Sequence, residues 1–185
     1  MKEEISKNRF NRLINHGPVL LLTTEEKGKP NAMAIAWYAP VSHDPPLLGV
    51  AVSPGNYSHR LIDNSGEFVL NVPTRKLAGE VHFCGTTHGT DVDKFRETGL
   101  SPTASGIVSA PHIEECIGHI ECQVKEVIQT GDHSLFISDV KLVVVESDLL
   151  DEVWCIEDEE LLTLHHLGGE YYALLGRRQQ IDLLR

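Results

Sequence analysis

The chain has no Cys-x-x-Cys pair, no internal repeat and no apolar run near the length of a membrane-crossing helix. Its four cysteines, Cys84, Cys116, Cys122 and Cys155, therefore indicate neither zinc nor dithiol redox chemistry. Reduced, mostly buried thiols are expected. Positive charge is also scarce: Lys and Arg number 16 against 27 Asp and Glu, a net charge of −11. A general nucleic-acid binder or a partner of anionic membranes needs clustered positive charge, so neither is expected. An anionic cofactor is still compatible with this balance, because backbone amides and a few local cations can hold it. No Gly-x-Gly-x-x-Gly follows a strand and no Gly-x-x-x-x-Gly-Lys occurs. The usual dinucleotide and nucleoside triphosphate signatures are thus absent. The start, Met1-Lys2-Glu3-Glu4-Ile5, is charged and lacks a signal-peptide apolar core, so a cytoplasmic protein is expected.

Ten histidines do not assemble a metal centre. His165 and His166 are adjacent and point different ways on a regular element, while His82 and His88 are too far apart for an i, i+4 helical pair. His133 follows a Gly-Asp turn and is expected to bond within it. No Ser-His-Asp set can be assembled. Cys84 precedes Gly85 with nothing nearby that clearly lowers its pKa, so a structural role is expected. Neither a catalytic side chain nor a metal ligand is assigned.

The 185 residues, 41% hydrophobic and 23% charged, suit one soluble domain spanning the chain. The stretch that organises it runs from Asn31 to Asn71. Ala32, Ala34 and Ala36 leave room beside a strand for something flat. Ser53-Pro54-Gly55-Asn56-Tyr57-Ser58 then offers hydroxyls, an amide and free backbone N–H groups at a turn. An apolar shelf next to an anion-accepting turn suits a flat cofactor that carries a phosphate. Packing of the alanines against a helix is the competing reading. Trp37 is expected in the core, with a cofactor platform as the alternative.

Around this stretch the pattern is many short strands with a few short helices. A helix is expected over Ser6–Asn15, with Phe10, Leu13 and Ile14 on one face. Strands are expected over Val19–Thr24, Asn31–Tyr38, Leu47–Val52 and Phe68–Val72, the first two forming a hairpin. Ser58 is expected to cap a helix ending near Asn64, and Thr74 another through Val81. Asp91–Gly99 reads as a helix with acids at its start and glycine at its end. Ile120, Cys122 and Val124 alternate with Glu121, Gln123 and Lys125 as on a half-buried strand, and Leu135–Val145 is long enough to bend across a barrel. The residues from Arg177 to Arg185 are expected to be a tail or to pack on a partner. Such spacing predicts an antiparallel barrel rather than a repeating βαβ sheet.

Taken in order, these pieces resemble the flavin reductase-like family, the FMN-binding split barrels that include flavoredoxins. The matching residues are Asn31 to Trp37, Val41-Ser42 before Pro45-Pro46, Gly66 to Val72, Cys84-Gly85, Asp93-Lys94-Phe95 with Gly99-Leu100, Pro111, Glu121-Cys122, Gly131-Asp132-His133 and Gly168 to Tyr172. The resemblance implies a mainly β fold, a split β-barrel with Greek-key connections, built as a homodimer around FMN. It implies that Asn31, Ala32, Met33, Ala34, Ile35, Ala36 and Trp37 run along the isoalloxazine ring. Ser53, Asn56, Tyr57 and Ser58 would face the ribityl and phosphate part. Cys84, Gly85, Thr86, Gly89 and Lys94 would close the site, although Lys94 also reads as a surface lysine beside Asp93. The implied partners are a nicotinamide cofactor and an electron acceptor, either a small molecule or a redox protein. An electron carrier without its own nicotinamide site is the alternative.

Overall fold

The computed structural model describes residue 4, residues 6–15 and residues 17–176. The stretch from Arg177 to Arg185 lies outside the described residues. Among the described residues eleven strands follow one another: β1 (Leu20–Glu26), β2 (Lys29–Ile35), β3 (Tyr38–Ser42), β4 (Leu47–Val52), β5 (Glu67–Asn71), β6 (Pro102–Thr103), β7 (His112–Ile113), β8 (Gly118–Thr130), β9 (His133–Val145), β10 (Leu164–Gly168) and β11 (Tyr171–Leu174). The α-helices are α1 (Asn11–Ile14), α2 (Tyr57–Ser65), α3 (Ala78–Thr86) and α4 (Lys94–Thr98). None of the described helices is long and apolar enough to cross a membrane.

Seven strands form one antiparallel sheet in the order β2-β1-β5-β8-β9-β4-β3. Its two edge strands, β2 and β3, are consecutive in the chain and are joined only by Ala36 and Trp37. The sheet is therefore rolled until its edges meet at one corner, yet no ladder joins them. This is a split barrel with Greek-key connections, as the family resemblance implies. The expected single strand Asn31–Tyr38 is in fact two strands. At Ala36–Trp37 the chain turns from one edge to the other, and Trp37 C=O accepts the Ala51 N–H at 2.9 Å.

Burial on both faces explains the unbroken apolar run of β1. Leu20 and Leu22 point into the barrel with Ile35, Val50, Phe68, Leu70, Cys122 and Phe136. Val19 and Leu21 point outward, under a second core made by Ala32, Leu77, Val81, Cys84, Phe95, Leu100 and Ile113. On β2 the alternation places Ile35 inside, while Ala32 lies in the outer core. The alanines thus do accommodate a helix: a Cβ on Gly85 of α3 would sit 3.2 Å from the Ala34 Cβ.

One local expectation holds in part and two fail for physical reasons. The N-terminal segment forms a short 3-10 turn over Lys7–Arg9 followed by α1, and its apolar residues Phe10, Leu13 and Ile14 stay exposed. Trp37 is not in the core; it stays partly exposed, and its ring lies tilted against His133 with centroids 4.8 Å apart. Glu121, expected on a solvent face, is fully buried. A bulge interrupts the β8–β9 register between Glu121 and Cys122, and a loop covers the carboxylate. The Gly106, Ile107 and Val108 N–H groups donate to it at 2.7, 2.7 and 3.1 Å, and His112 Nε2 lies 2.9 Å away. Burial alone would raise its pKa, but these bonds hold it below the ordinary carboxylate value. His112 stacks on His119, whose Nδ1 meets Asn71 Oδ1 at 2.8 Å.

Candidate functional site

Two adjoining cavities lie along edge strand β2 and share Ala34 and Gly85. The first holds about 130 Å³ and is lined by Asn31, Met33, Asn56, Tyr57, Ser58, Cys84, Thr87, His88, Gly89 and Lys94 besides the shared pair. The second holds about 250 Å³ and is lined by Val19, Ile35, Ala36, His82, Thr86, His166, Gly169 and Tyr172 besides the shared pair. Together they form one elongated cleft between the rim of β2 and the helices outside it.

The polar end is built by α2, α4 and the loop after α3. Asn56, not Ser58, is the N-cap of α2, and its side chain makes no capping bond. The first turn of this nine-residue helix borders the cleft through Tyr57 and Ser58; its His59 N–H already donates to the Asn56 C=O at 3.1 Å, while helix geometry leaves the Tyr57 and Ser58 N–H groups without intrahelical acceptors. Ser58 lies inside the helix, is buried, and its Oγ accepts from Asn31 Nδ2 at 2.8 Å. The expected capping role of Ser58 is thereby overturned: the hydroxyl ties α2 to β2. Thr74 likewise makes no side-chain cap; it precedes a 3-10 turn over Arg75–Leu77 that leads into α3. At α4 the sequence signals hold. Asp93 caps by accepting from the Arg96 N–H at 3.2 Å, and Gly99 ends the helix at φ 74°.

With Asp93 used as a cap, Lys94 is not a surface lysine. It is 5% exposed, and its Nζ donates to the Cys84 C=O at 2.8 Å. Burial lowers its pKa, opposed by Cys84. An ammonium carries three donors, and a carbonyl neutralises no charge. Such a buried cation, lining a cleft beside a helix N-terminus, fits an anion. The Cys84 thiol is pushed up to about 11 by burial, which Lys94 opposes and Glu80 reinforces. That agrees with a structural rather than a nucleophilic cysteine.

Gly89 is needed for close approach: a Cβ there would lie 2.2 Å from Asn31 Oδ1 and 2.8 Å from the Tyr57 ring. His88 fastens the same loop across the cleft, with Nε2 3.2 Å from the Gly55 C=O and Nδ1 2.7 Å from Thr90 Oγ1. Arg60 sits over the Tyr57 ring at 5.0 Å and holds that wall.

Most of the residues named from sequence converge here. Asn31, Met33, Ala34, Asn56, Tyr57, Ser58, Cys84, Gly85, Gly89 and Lys94 line the polar cavity, and Ile35, Ala36 and Thr86 line the other. Three do not. Ala32 is buried beneath α3, in the outer core. Ser53 shapes the turn instead, its C=O accepting from the Asn56 N–H at 2.9 Å. Trp37 lies past the corner and lines a separate groove of about 260 Å³ with Phe10, Asn11 and Ile14. Sequence reasoning missed His82, His166 and Tyr172, which come from α3 and the β10–β11 hairpin. Gly168-Gly169-Glu170-Tyr171-Tyr172 was a visible signal, but nothing local links it to β2.

The cleft's composition fits FMN. A buried cation and helix N–H groups suit the phosphate at one end, and small side chains beside an unpaired strand rim suit a flat ring at the other.

Comparison with known proteins agrees. The family model described as "Flavin reductase like domain" matches residues 12–174. An uncharacterised protein of Archaeoglobus fulgidus is 41% identical over 112 residues, covering 60% of this chain and 63% of that protein. The flavoredoxin of Methanosarcina acetivorans superposes with a TM-score of 0.85 at 29% identity, over 99% of this chain and 96% of its own. An FMN-binding protein of Thermus thermophilus, solved with bound 1-cyclohex-2-enone, also gives a TM-score of 0.85. It is 24% identical and is covered to 98%, as is this chain.

Proposed function

The chain belongs to the flavin reductase-like family, and on that premise we propose that it is an FMN-dependent oxidoreductase. The observation that carries this reading is the single cleft that has a buried lysine at one end and a chamber walled by small residues at the other. Lys94, the first turn of α2 and the Asn31–Ser58 pair would hold the phosphate and ribityl part. The backbone rim of β2 from Asn31 to Ala36 would lie along the ring. When bound, FMN supplies the electron chemistry, accepting from a reduced nicotinamide and delivering to a flavin, a metal centre or a partner protein. The chain supplies position, hydrogen bonds and control of water; hydride passage to a flavin needs no protein acid or base.

The working unit in this reading is a homodimer. The exposed apolar groups Phe10, Ile14 and Trp37 around one groove, and Leu167, Tyr171, Leu174 and Leu175 at the hairpin, support it. Equilibrium dialysis tests the cofactor: retention of FMN by micromolar protein is expected, and its absence would sink the proposal. A second reading, an electron carrier with no nicotinamide site, is favoured by the net charge of −11, which would steer a basic redox partner. Oxidation of NADH or NADPH by the FMN-loaded protein, with and without added free flavin, separates the two.

A further inference from the structure

A groove of about 730 Å³, larger than either chamber of the cleft, shares no lining residue with them. Its walls are apolar. Trp154 and Ile156 pack against the barrel core yet stay only half-buried, and Leu162 and the exposed Leu175 complete the lining. Backbone bonds fix these walls to the body of the protein. The Cys155 N–H donates to the Leu149 C=O at 2.8 Å, the Arg75 N–H to the Leu162 C=O at 2.8 Å and the Leu175 N–H to the Thr163 C=O at 3.4 Å. The remaining polar side chains are acids. Glu157 and Glu159 line the groove, and no Lys or Arg is among its lining residues. Glu159 meets Arg75 only at 3.9 Å with its side chain 83% exposed. Glu157 pairs with no cation among the described residues.

That composition restricts the occupant. Covering half-exposed apolar walls with aliphatic side chains is favourable. Two carboxylates without a close counter-charge repel anions and favour a cationic group. The complementary ligand is a short stretch of chain that mixes arginine or lysine with large aliphatic residues. Such a stretch begins at the edge of the groove itself. Gly176 is a lining residue, and Arg177-Arg178-Gln179-Gln180-Ile181-Asp182-Leu183-Leu184-Arg185, outside the described residues, follows it in the sequence. In a chain of net charge −11, this stretch sets three arginines against one aspartate and adds Ile181, Leu183 and Leu184. Consecutive Cα atoms are about 3.8 Å apart, so Arg177 starts at the rim whatever path the chain then takes. So short a tether gives an effective concentration on the order of millimolar, and a few weak contacts then suffice.

We propose that this groove is the seat of the segment Arg177 to Arg185 of the same chain, with arginines facing Glu157 and Glu159 and aliphatic residues covering Trp154 and Ile156. Seated there, the segment fastens the end of β11, the strand that brings Tyr172 to the cleft.

The test reads Cys155, which lines the groove and is the one cysteine of the four that is not buried. Its rate of reaction with dithiodipyridine, an uncharged disulfide reagent, is measured on the full chain. In the parent this rate should be well below that of glutathione, should rise with added salt and should not change on dilution. Arg177→Glu with Arg178→Glu, and separately Glu157→Lys with Glu159→Lys, should each raise it roughly five- to thirtyfold, as expected for two lost ion pairs. The chain carrying all four substitutions has its charges exchanged and should return to the parent rate. An unchanged circular dichroism spectrum shows that each variant is folded. A parent rate equal to that of glutathione would overturn the assignment, because the groove would then stand open to another partner. So would equal rates in the parent and both pairs. So would a fast rate in the chain with all four substitutions, because the new lysines alone would then have activated the thiol. Protection lost on dilution would overturn the same-chain seat, because the segment would then come from a second copy.

Discussion

Lys94→Met should weaken FMN binding strongly and leave riboflavin binding nearly untouched. The substitution keeps the apolar stem, which packs in a site only 5% exposed, and removes the ammonium. What is lost depends on what the ammonium faces. In the free protein it donates to the Cys84 C=O at 2.8 Å, so its removal leaves one carbonyl without that donor. This costs about 1 kcal/mol and is offset by no longer burying a charge. The apo protein should therefore melt within a few degrees of the parent. With a phosphate in the cleft, the lost bond is one between charged groups, worth about 1.5–3 kcal/mol. That corresponds to roughly 10- to 150-fold in Kd. Riboflavin has the same ring and ribityl chain without the phosphate, so its Kd should move by less than about twofold. Fluorescence titration of both flavins into the two proteins measures this. Burial lowers the Lys94 pKa, so FMN affinity of the parent should fall as alkaline pH removes that proton, while the variant shows no such step. Equal weakening of both flavins by Lys94→Met would refute the phosphate role, leaving Lys94 as a brace between α4 and α3.

Gly89→Ala should abolish FMN retention in dialysis, because the new Cβ would meet Asn31 Oδ1 at 2.2 Å and break the wall shared with Ser58. Stability should fall on acidification from about pH 6.5 toward pH 4. Burial, then His112, depresses His119 to about 4, partly countered by Glu121, so between those values the unfolded chain binds the extra proton. Urea titrations of His119→Asn should show a flatter acid limb, and an unchanged limb would refute this. Glu121→Gln should lower stability by about 2–4 kcal/mol, since a carboxylate accepting three backbone N–H groups is replaced by an amide that offers one acceptor oxygen. The FMN-loaded protein should sediment as a dimer, and a monomer mass across a wide concentration range would refute that part of the proposal.

Wherever periodicity and turn chemistry acted locally, the sequence was readable. Leu47–Val52 is β4 to the residue, and the Asp93 and Gly99 signals bound α4. What stayed hidden depended on contacts between distant segments. The apolar, small-residue run through Trp37 carries no mark of the corner at Ala36, because that corner exists only once the sheet has rolled. Glu121 looked like a solvent-facing residue on an alternating strand; only the covering loop of Gly106 to Val108 makes it a buried acceptor. Ser58 had the composition of a cap, but Asn56 took that place and Asn31 took the hydroxyl. Of the cleft, the side made by the Asn31 to Ser58 stretch was legible. The His82–Tyr172 side joins residues 90 positions apart and was not.

The two walls of the cleft differ in how freely they can vary. β2 belongs to both cores and meets the corner where the rolled sheet comes together, so a change there alters the barrel as well as the cofactor seat. The β10–β11 hairpin lies outside the seven-stranded sheet, but its Leu164 is buried in the outer core with Val19, Leu21 and Phe95. It is fastened near its base by the Val19 N–H to the Leu164 C=O and at its turn by Arg12 to the Leu167 C=O. It contributes no strand to the seven-stranded sheet and no lining residue to the polar cavity. The architecture thus separates a wall tied into the barrel from a wall tied only into the outer core. Substitutions on the exposed side of that hairpin, such as at Tyr171, should therefore disturb the barrel less than substitutions on β2.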